Sequence, residues 1–135
     1  NSVQIPVFVN GDITSCETAK TALKASRAAG VMVGRAAMGQ PWLLAQIADC
    51  ISGLSVRLVP NMFQRKLMMI KHLTDITNEK GEIGLRSARK HFASYCDHLE
   101  ESNELRAVAM RTSSASELKD AIFEYFLKSS RLTAA

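Results

Sequence analysis

Ile5-Pro6-Val7-Phe8-Val9-Asn10-Gly11-Asp12 and, further on, Gly30-Val31-Met32-Val33-Gly34-Arg35 are the segments whose reading decides the fold. Each holds a short, unbroken apolar run, which suits a strand buried on both faces of a parallel sheet better than an alternating, half-exposed strand. Pro6 lacks an N–H and belongs near a strand start. Between Val9 and Val31 lie 21 residues, enough for a turn and a crossover helix. Asn10-Gly11-Asp12 supplies the turn. Thr14-Ser15-Cys16-Glu17 has capping-box spacing, so a helix is predicted from about Ser15, through Ala19, Ala22 and Ala25, to a stop at Gly30. The unit therefore reads as β-α-β with parallel strands. After it, Gly34 to Gln40 reads as a loop, and Pro41 opens a helix running from Trp42 to about Ile51. Two parallel strands do not make a stable sheet alone, so their neighbours are expected upstream, and Asn1 in place of Met is read as a cut end.

The remainder carries a helical period. Gly53 to Pro60 reads as a linker. From Met62 to about Lys80, Phe63, Leu67, Ile70, Leu73 and Thr77 share one face of a helix that Gly81 ends. A second helix from about Gly84 to Leu99 turns Leu85, Ala88, Phe92, Cys96 and Leu99 inward and leaves Arg86 and Lys90 outward, with Arg89 at the boundary. A short helix at Leu105 to Met110 follows. Ser114-Ala115-Ser116-Glu117 then caps a last one, with Leu118, Ala121, Ile122 and Tyr125 inward. The predicted architecture is α/β followed by all-α and helical on balance, with residues 1–52 in the first part and 57–135 in the second.

The chain has 135 residues and a net charge of +4. That length is about half of what an eight-stranded α/β barrel needs. The charge is uneven: residues 1–50 are nearly neutral, whereas Arg57 to His91 hold eight Lys/Arg against three acids, and residues 92–104 hold four acids and no base. A local positive field of this kind favours a polyanion partner, although a solvated surface is the plainer explanation for any one of these charges. Cys16, Cys50 and Cys96 form no C-x-x-C pair, so the spacing suggests neither a zinc site nor a disulfide framework and fits a reducing, cytoplasmic setting. His72, His91 and His98 lack i, i+4 spacing, so no metal site is expected. The apolar runs are broken within about ten residues, well short of the roughly 20 that a membrane-spanning helix requires.

Gly11-Asp12 and Gly34-Arg35 stand at the ends of two adjacent strands, and in a closing α/β barrel the last two such loops commonly cradle a phosphate. Glycine lets backbone N–H groups approach the anion, and a guanidinium adds a charge-assisted clamp. The plainer alternative is a pair of turn glycines beside a surface arginine. Trp42 reads as a packing anchor behind the loop rather than a stacking platform.

Here the residues resemble a family. Ile5-Pro-Val-Phe-Val-Asn-Gly-Asp-Ile13 and Gly30-Val-Met-Val-Gly-Arg-Ala-Ala-Met-Gly-Gln-Pro-Trp42 look like the final two barrel strands of bacterial tRNA-dihydrouridine synthases of the DusB-like group. Gly84-Leu-Arg-Ser-Ala-Arg-Lys-His91 is similar to an Arg-x-x-Ala-Arg-Lys-His helix in that family's C-terminal helical domain. The resemblance implies the last two β-α units of a TIM-type (β/α)8 barrel followed by a helical, tRNA-binding bundle. It implies an FMN enzyme that reduces uridine in tRNA to 5,6-dihydrouridine, with NADPH reducing the flavin and a barrel-loop cysteine donating a proton. By the same carry-over, Asn10, Gly11, Asp12, Gly34 and Arg35 fall at the flavin-phosphate end, and Arg86, Arg89, Lys90 and His91 on the RNA-facing helix. No cysteine here matches the catalytic position, so the proton donor is expected upstream, the segment alone is expected to be inactive, and its open strand edges are expected to drive self-association. Two other readings stay open. One is a non-enzymatic helical module that binds RNA or protein; the other is an FMN barrel oxidoreductase for a small metabolite, which has no need of the basic helix.

Overall fold

A computed structural model of the chain describes residues 3–132. Its elements run β1 (Phe8–Asn10), α1 (Cys16–Ser26), β2 (Gly30–Met32), a 3-10 turn (Arg35–Ala37), α2 (Trp42–Ile51), α3 (Met62–Cys96), α4 (Asn103–Arg111) and α5 (Ala115–Leu132). They fall into two compact units, Asn1–Val59 and Pro60–Ala135.

In the first unit β1 and β2 pair in parallel, with Phe8 opposite Gly30, Val9 opposite Val31 and Asn10 opposite Met32. The Phe8 ring lies over Gly30 so closely that a Cβ there would sit 2.7 Å from its Cε1, and glycine is what lets the strands close at this point. The pairing starts later than the apolar run suggests. Ile5 and Val7 stay exposed, as do Phe8 and Met32, so the faces expected to be buried are open among the described residues. The reason is that no further strand covers them here.

The first helix begins near Ser15 as expected but is capped by other partners and ends earlier. Its N-cap is Ser15, not Thr14, and the reciprocal partner at the third helical position is Thr18 rather than Glu17. The Ser15 Oγ accepts from Thr18 N at 3.2 Å, while Thr18 Oγ1 accepts from Ser15 N at 2.9 Å. A hydroxyl close to the backbone does here what a longer carboxylate does in the usual capping box. The helix stops at Ser26 because Arg27 adopts the left-handed conformation (φ 55°) and donates its N–H to Leu23 O, leaving Gly30 free to begin β2.

Ile13, Ala19, Leu43 and Ile47 form this unit's core, with Val31 and Val33 against it. Two fastenings reinforce it. Cys16 and Cys50 are joined as a disulfide with their Cα atoms 5.9 Å apart, which corrects the reading of three unpaired thiols. The residues lie 34 apart in sequence, a spacing that carries no signal, and only the packing of α1 on α2 brings them together. At the end of α2 the buried Asp49 carboxylate accepts from Arg57 Nε at 2.7 Å, Arg57 Nη2 at 2.8 Å and Arg57 N at 3.1 Å. These bonds, the side-chain ones foremost, hold the Asp49 carboxyl down at about 2.

The second unit is all helix. Asn61 caps α3 reciprocally with Gln64. Gly81 (φ 56°, ψ −148°) breaks α3 into arms at residues 62–80 and 82–96, a backbone state that essentially only glycine adopts. Contacts between His72 and Tyr95, and from Arg65 to the carbonyl of His98, show that the arms run back alongside each other. Their core joins Met69, Leu73, Leu85, Phe92, Leu105, Leu118 and Ile122, with Tyr125 and Phe126 from the end of the bundle. Each large side chain fully buried this way contributes about 1.5–3 kcal/mol. Of the stripe expected on the first arm, Leu73 lies in the core and Ile70 packs against it, while Phe63 and Leu67 are exposed and Met69, outside the expected stripe, is buried instead, with Ile76 beside it. Leu85, Ala88, Phe92 and Cys96 are buried as their period predicts. No described helix is long and apolar enough to cross a membrane.

Candidate functional site

In the first unit the parallel register places the two strand-end loops side by side. Gly11 (φ 144°) and Asp12 (φ 43°) turn the chain directly after β1, and buried Ile13 anchors the far side of the turn in the core. Gly34 precedes the 3-10 turn, whose backbone closes through Ala37 N to Gly34 O at 3.1 Å and Met38 N to Arg35 O at 3.0 Å. A Cβ at Gly11 or Gly34 would meet nothing within 4 Å, so both glycines face open space rather than a neighbouring side chain. Arg35 Nη2 donates to Asp12 Oδ1 at 3.4 Å. Both side chains are about nine-tenths exposed, so this pair orients the guanidinium more than it stabilises the fold. Asn10, Gly11, Asp12, Gly34 and Arg35 are thus brought to one edge of the unit. Trp42 is buried at the head of α2, as a packing anchor should be.

In the second unit, the four side chains picked from residues 84–91 separate by environment. Arg86 and Lys90 are exposed and one turn apart on the second arm of α3. Arg89 is half-buried and turned to the end of α4, where its Nε and Nη2 donate to Thr112 O at 3.2 and 2.9 Å and Nη2 also donates to Arg111 O at 3.1 Å. A guanidinium on terminal helix carbonyls satisfies acceptors that have no intrahelical partner. His91 is half-buried, with its ring 5.9 Å from that of His72 on the first arm. His72 in turn shares a 3.3 Å hydrogen bond with the Tyr95 hydroxyl. Burial, and secondly His91, lowers the His72 pKa, against a smaller opposite pull from Asp75.

A groove of about 1060 Å³ beside the start of α3 and the end of α5 is lined in part by Met62, Phe63, Leu99 and Phe123. The Lys66 ammonium lies over two of its rings, 5.5 Å from the Phe63 centroid and 5.2 Å from that of Phe123. Phe63, read as core, belongs to this open surface, and no local motif marks it.

The family model described as dihydrouridine synthase (Dus) matches residues 1–130. The chain belongs to the dihydrouridine synthase family. Among relatives, a probable tRNA-dihydrouridine synthase of Rickettsia typhi is 36% identical over 127 residues, covering 93% of this chain and 39% of the relative. One of Rhodobacter capsulatus is 42% identical over 111 residues, covering 82% and 34%. The tRNA-dihydrouridine synthase B of Pasteurella multocida is 37% identical over 94 residues, covering 69% and 28%. The chain therefore spans about two fifths or less of the length of the curated relatives it matches. The match takes in both the strand-end loops and the basic helix arm, so both candidate sites lie within the region that the family model covers.

Proposed function

We propose that this chain is the C-terminal part of an FMN-dependent tRNA-dihydrouridine synthase that reduces uridine to 5,6-dihydrouridine with NADPH. In this reading, residues 1–52 close a TIM-type barrel and residues 57–135 form a helical tRNA-binding domain. Beyond family membership, the supporting observation is the β1–β2 pairing, which sets Gly11 and Asp12 beside Gly34 and Arg35 with a guanidinium at the shared edge. Two glycines facing open space, backbone N–H groups of a helical turn and an exposed arginine suit a phosphate monoester.

FMN when bound supplies the hydride for the uracil double bond. The residues of this chain take the supporting parts. Gly11 and Gly34 leave room for the phosphate, and Arg35 binds it, Asp12 holding the guanidinium in position. Asn10 borders the same loop. Arg86 and Lys90 attract the tRNA backbone through charge, with Arg89 and His91 on the same arm. The proton donor is assigned to a cysteine outside this segment, because Cys16 and Cys50 are bonded to each other and buried Cys96 has its thiol pushed up to about 11.

The test is Arg35→Ala in an enzyme that carries this segment with its upstream strands. A charge-assisted hydrogen bond at the low end of its usual range is worth about 1.5 kcal/mol, or roughly a tenfold weaker Kd for FMN. Flavin absorbance per polypeptide after gel filtration reads the loss, and unchanged flavin content would remove the phosphate assignment.

A further inference from the structure

The basic run at residues 84–91 does not present a single row of charges. Arg89 is directed at the last carbonyls of α4 by three hydrogen bonds, and this ties the C-terminal end of α4 to the turn of α3 that carries Arg86 and Lys90. Arg111 is the residue whose carbonyl Arg89 holds, and it is also the last residue of α4. Its own side chain is 70% exposed, and its carboxylate neighbour, Glu117 Oε1, stands at 4.0 Å, the outer limit of an ion pair. An exposed pair at that distance restrains the guanidinium little. The other Glu117 oxygen accepts from the Thr112 hydroxyl, and the Glu117 N–H donates to Ser114 Oγ, so Glu117 is held in the junction between α4 and α5. The second base of α4, Arg106, is by contrast engaged with Ala93 O and the Asp97 carboxylate.

We infer that the phosphate-binding face is discontinuous in sequence: Arg86 and Lys90 of α3 are joined by Arg111 from the end of α4, with Arg89 as the positioning residue that keeps Arg111 beside them. This rests on the reading of the helical unit as tRNA-binding. It assigns a ligand to Arg111, a residue outside the basic run, and gives Arg89 the task of a fork on two carbonyls in place of a phosphate contact.

The experiment measures binding of an unmodified tRNA transcript to the full 135-residue chain between about 50 and 200 mM salt, with log-affinity plotted against log-salt. Arg111→Gln is expected to reduce the slope by about 0.7–0.9, as one lost phosphate contact should, and Arg86→Gln and Lys90→Gln to do the same. Arg89→Lys keeps the charge and loses the fork. It is expected to lose slope as Arg111→Gln does, and the double variant Arg89→Lys/Arg111→Gln to lose no more than either alone. If Arg111→Gln superimposes on wild type while Arg86→Gln and Lys90→Gln lose slope, the inference is overturned and the tRNA reading stands. If all three superimpose on wild type, or if wild type itself shows no salt-dependent binding, both are overturned. Full slope in Arg89→Lys, with helical content retained, would remove the positioning role.

Discussion

Gly84→Ala sets two opposed effects against each other, and the structure decides between them. In an exposed helix interior the change stabilises by about 1 kcal/mol, because alanine loses less backbone entropy on folding. Gly84, however, is buried where the second arm of α3 leaves the Gly81 break. A Cβ there would lie 2.6 Å from Lys80 Cβ, 2.9 Å from Ile76 Cγ2 and 3.0 Å from the Ile76 carbonyl oxygen. Lys80 Cβ and the carbonyl are attached to or part of the backbone, so no flexible side-chain end can swing aside. Overpacking of this kind costs about 1–3 kcal/mol. The net expectation is destabilisation by about 1 kcal/mol, which for a unit of this size lowers Tm by about 4–8 °C. Far-UV circular dichroism melts of wild type and variant supply the measurement. A higher Tm for Gly84→Ala would show that the arms separate freely at this point and that the close approach has no energetic weight.

Other outcomes follow from the same contacts. Asp49 has its pKa lowered, so its bonds to Arg57 stabilise the folded chain above the ordinary carboxylate range and lose that effect as pH falls through about 2; the Tm gap between wild type and Asp49→Asn should therefore be full near neutrality and shrink between about pH 4 and 2. Reducing the Cys16–Cys50 bond should lower the melting temperature of the first unit, since a crosslink closing a loop of 34 residues contributes on the order of 3–4 kcal/mol; identical melts with and without reductant would show that it does not stabilise the unit. With Val7 exposed just before β1, and Phe8 and Met32 exposed on β1 and β2, the isolated chain should self-associate, and a monodisperse monomer in light scattering would contradict this.

How much was legible depended on whether the signal was local. The β-α-β unit was readable because apolar runs, turn residues and a crossover of fitting length all agree, and the parallel pairing of Val9 with Val31 follows from them. The inward stripe Leu85-Phe92 was readable because the opposite face is charged. On the first arm of α3 Ile70 and Leu73 were readable, but Met69 and Ile76 flank the same stripe at helical spacing, so periodicity could not tell that Met69 rather than Phe63 and Leu67 is covered, and only tertiary contacts decide. The strand-end loops were legible because a glycine followed by a charged residue, Gly11-Asp12 and then Gly34-Arg35, stands at equivalent ends of consecutive strands. The Arg89 fork, the Cys16–Cys50 bond and the ring pair around Lys66 join residues far apart in sequence, and no spacing rule reaches them.

The break at Gly81 also bears on how quickly the helical unit can assemble. Because the long helix doubles back through one residue, its two arms meet by closing a loop of minimal length, and the entropy lost in that closure is small. Residues 103–111 and 115–132 follow in chain order, and both pack on this hairpin. Helical bundles of this kind fold in microseconds to milliseconds. In the first unit β1 must await β2 across an intervening helix, so the helical unit is the part expected to reach its native packing first.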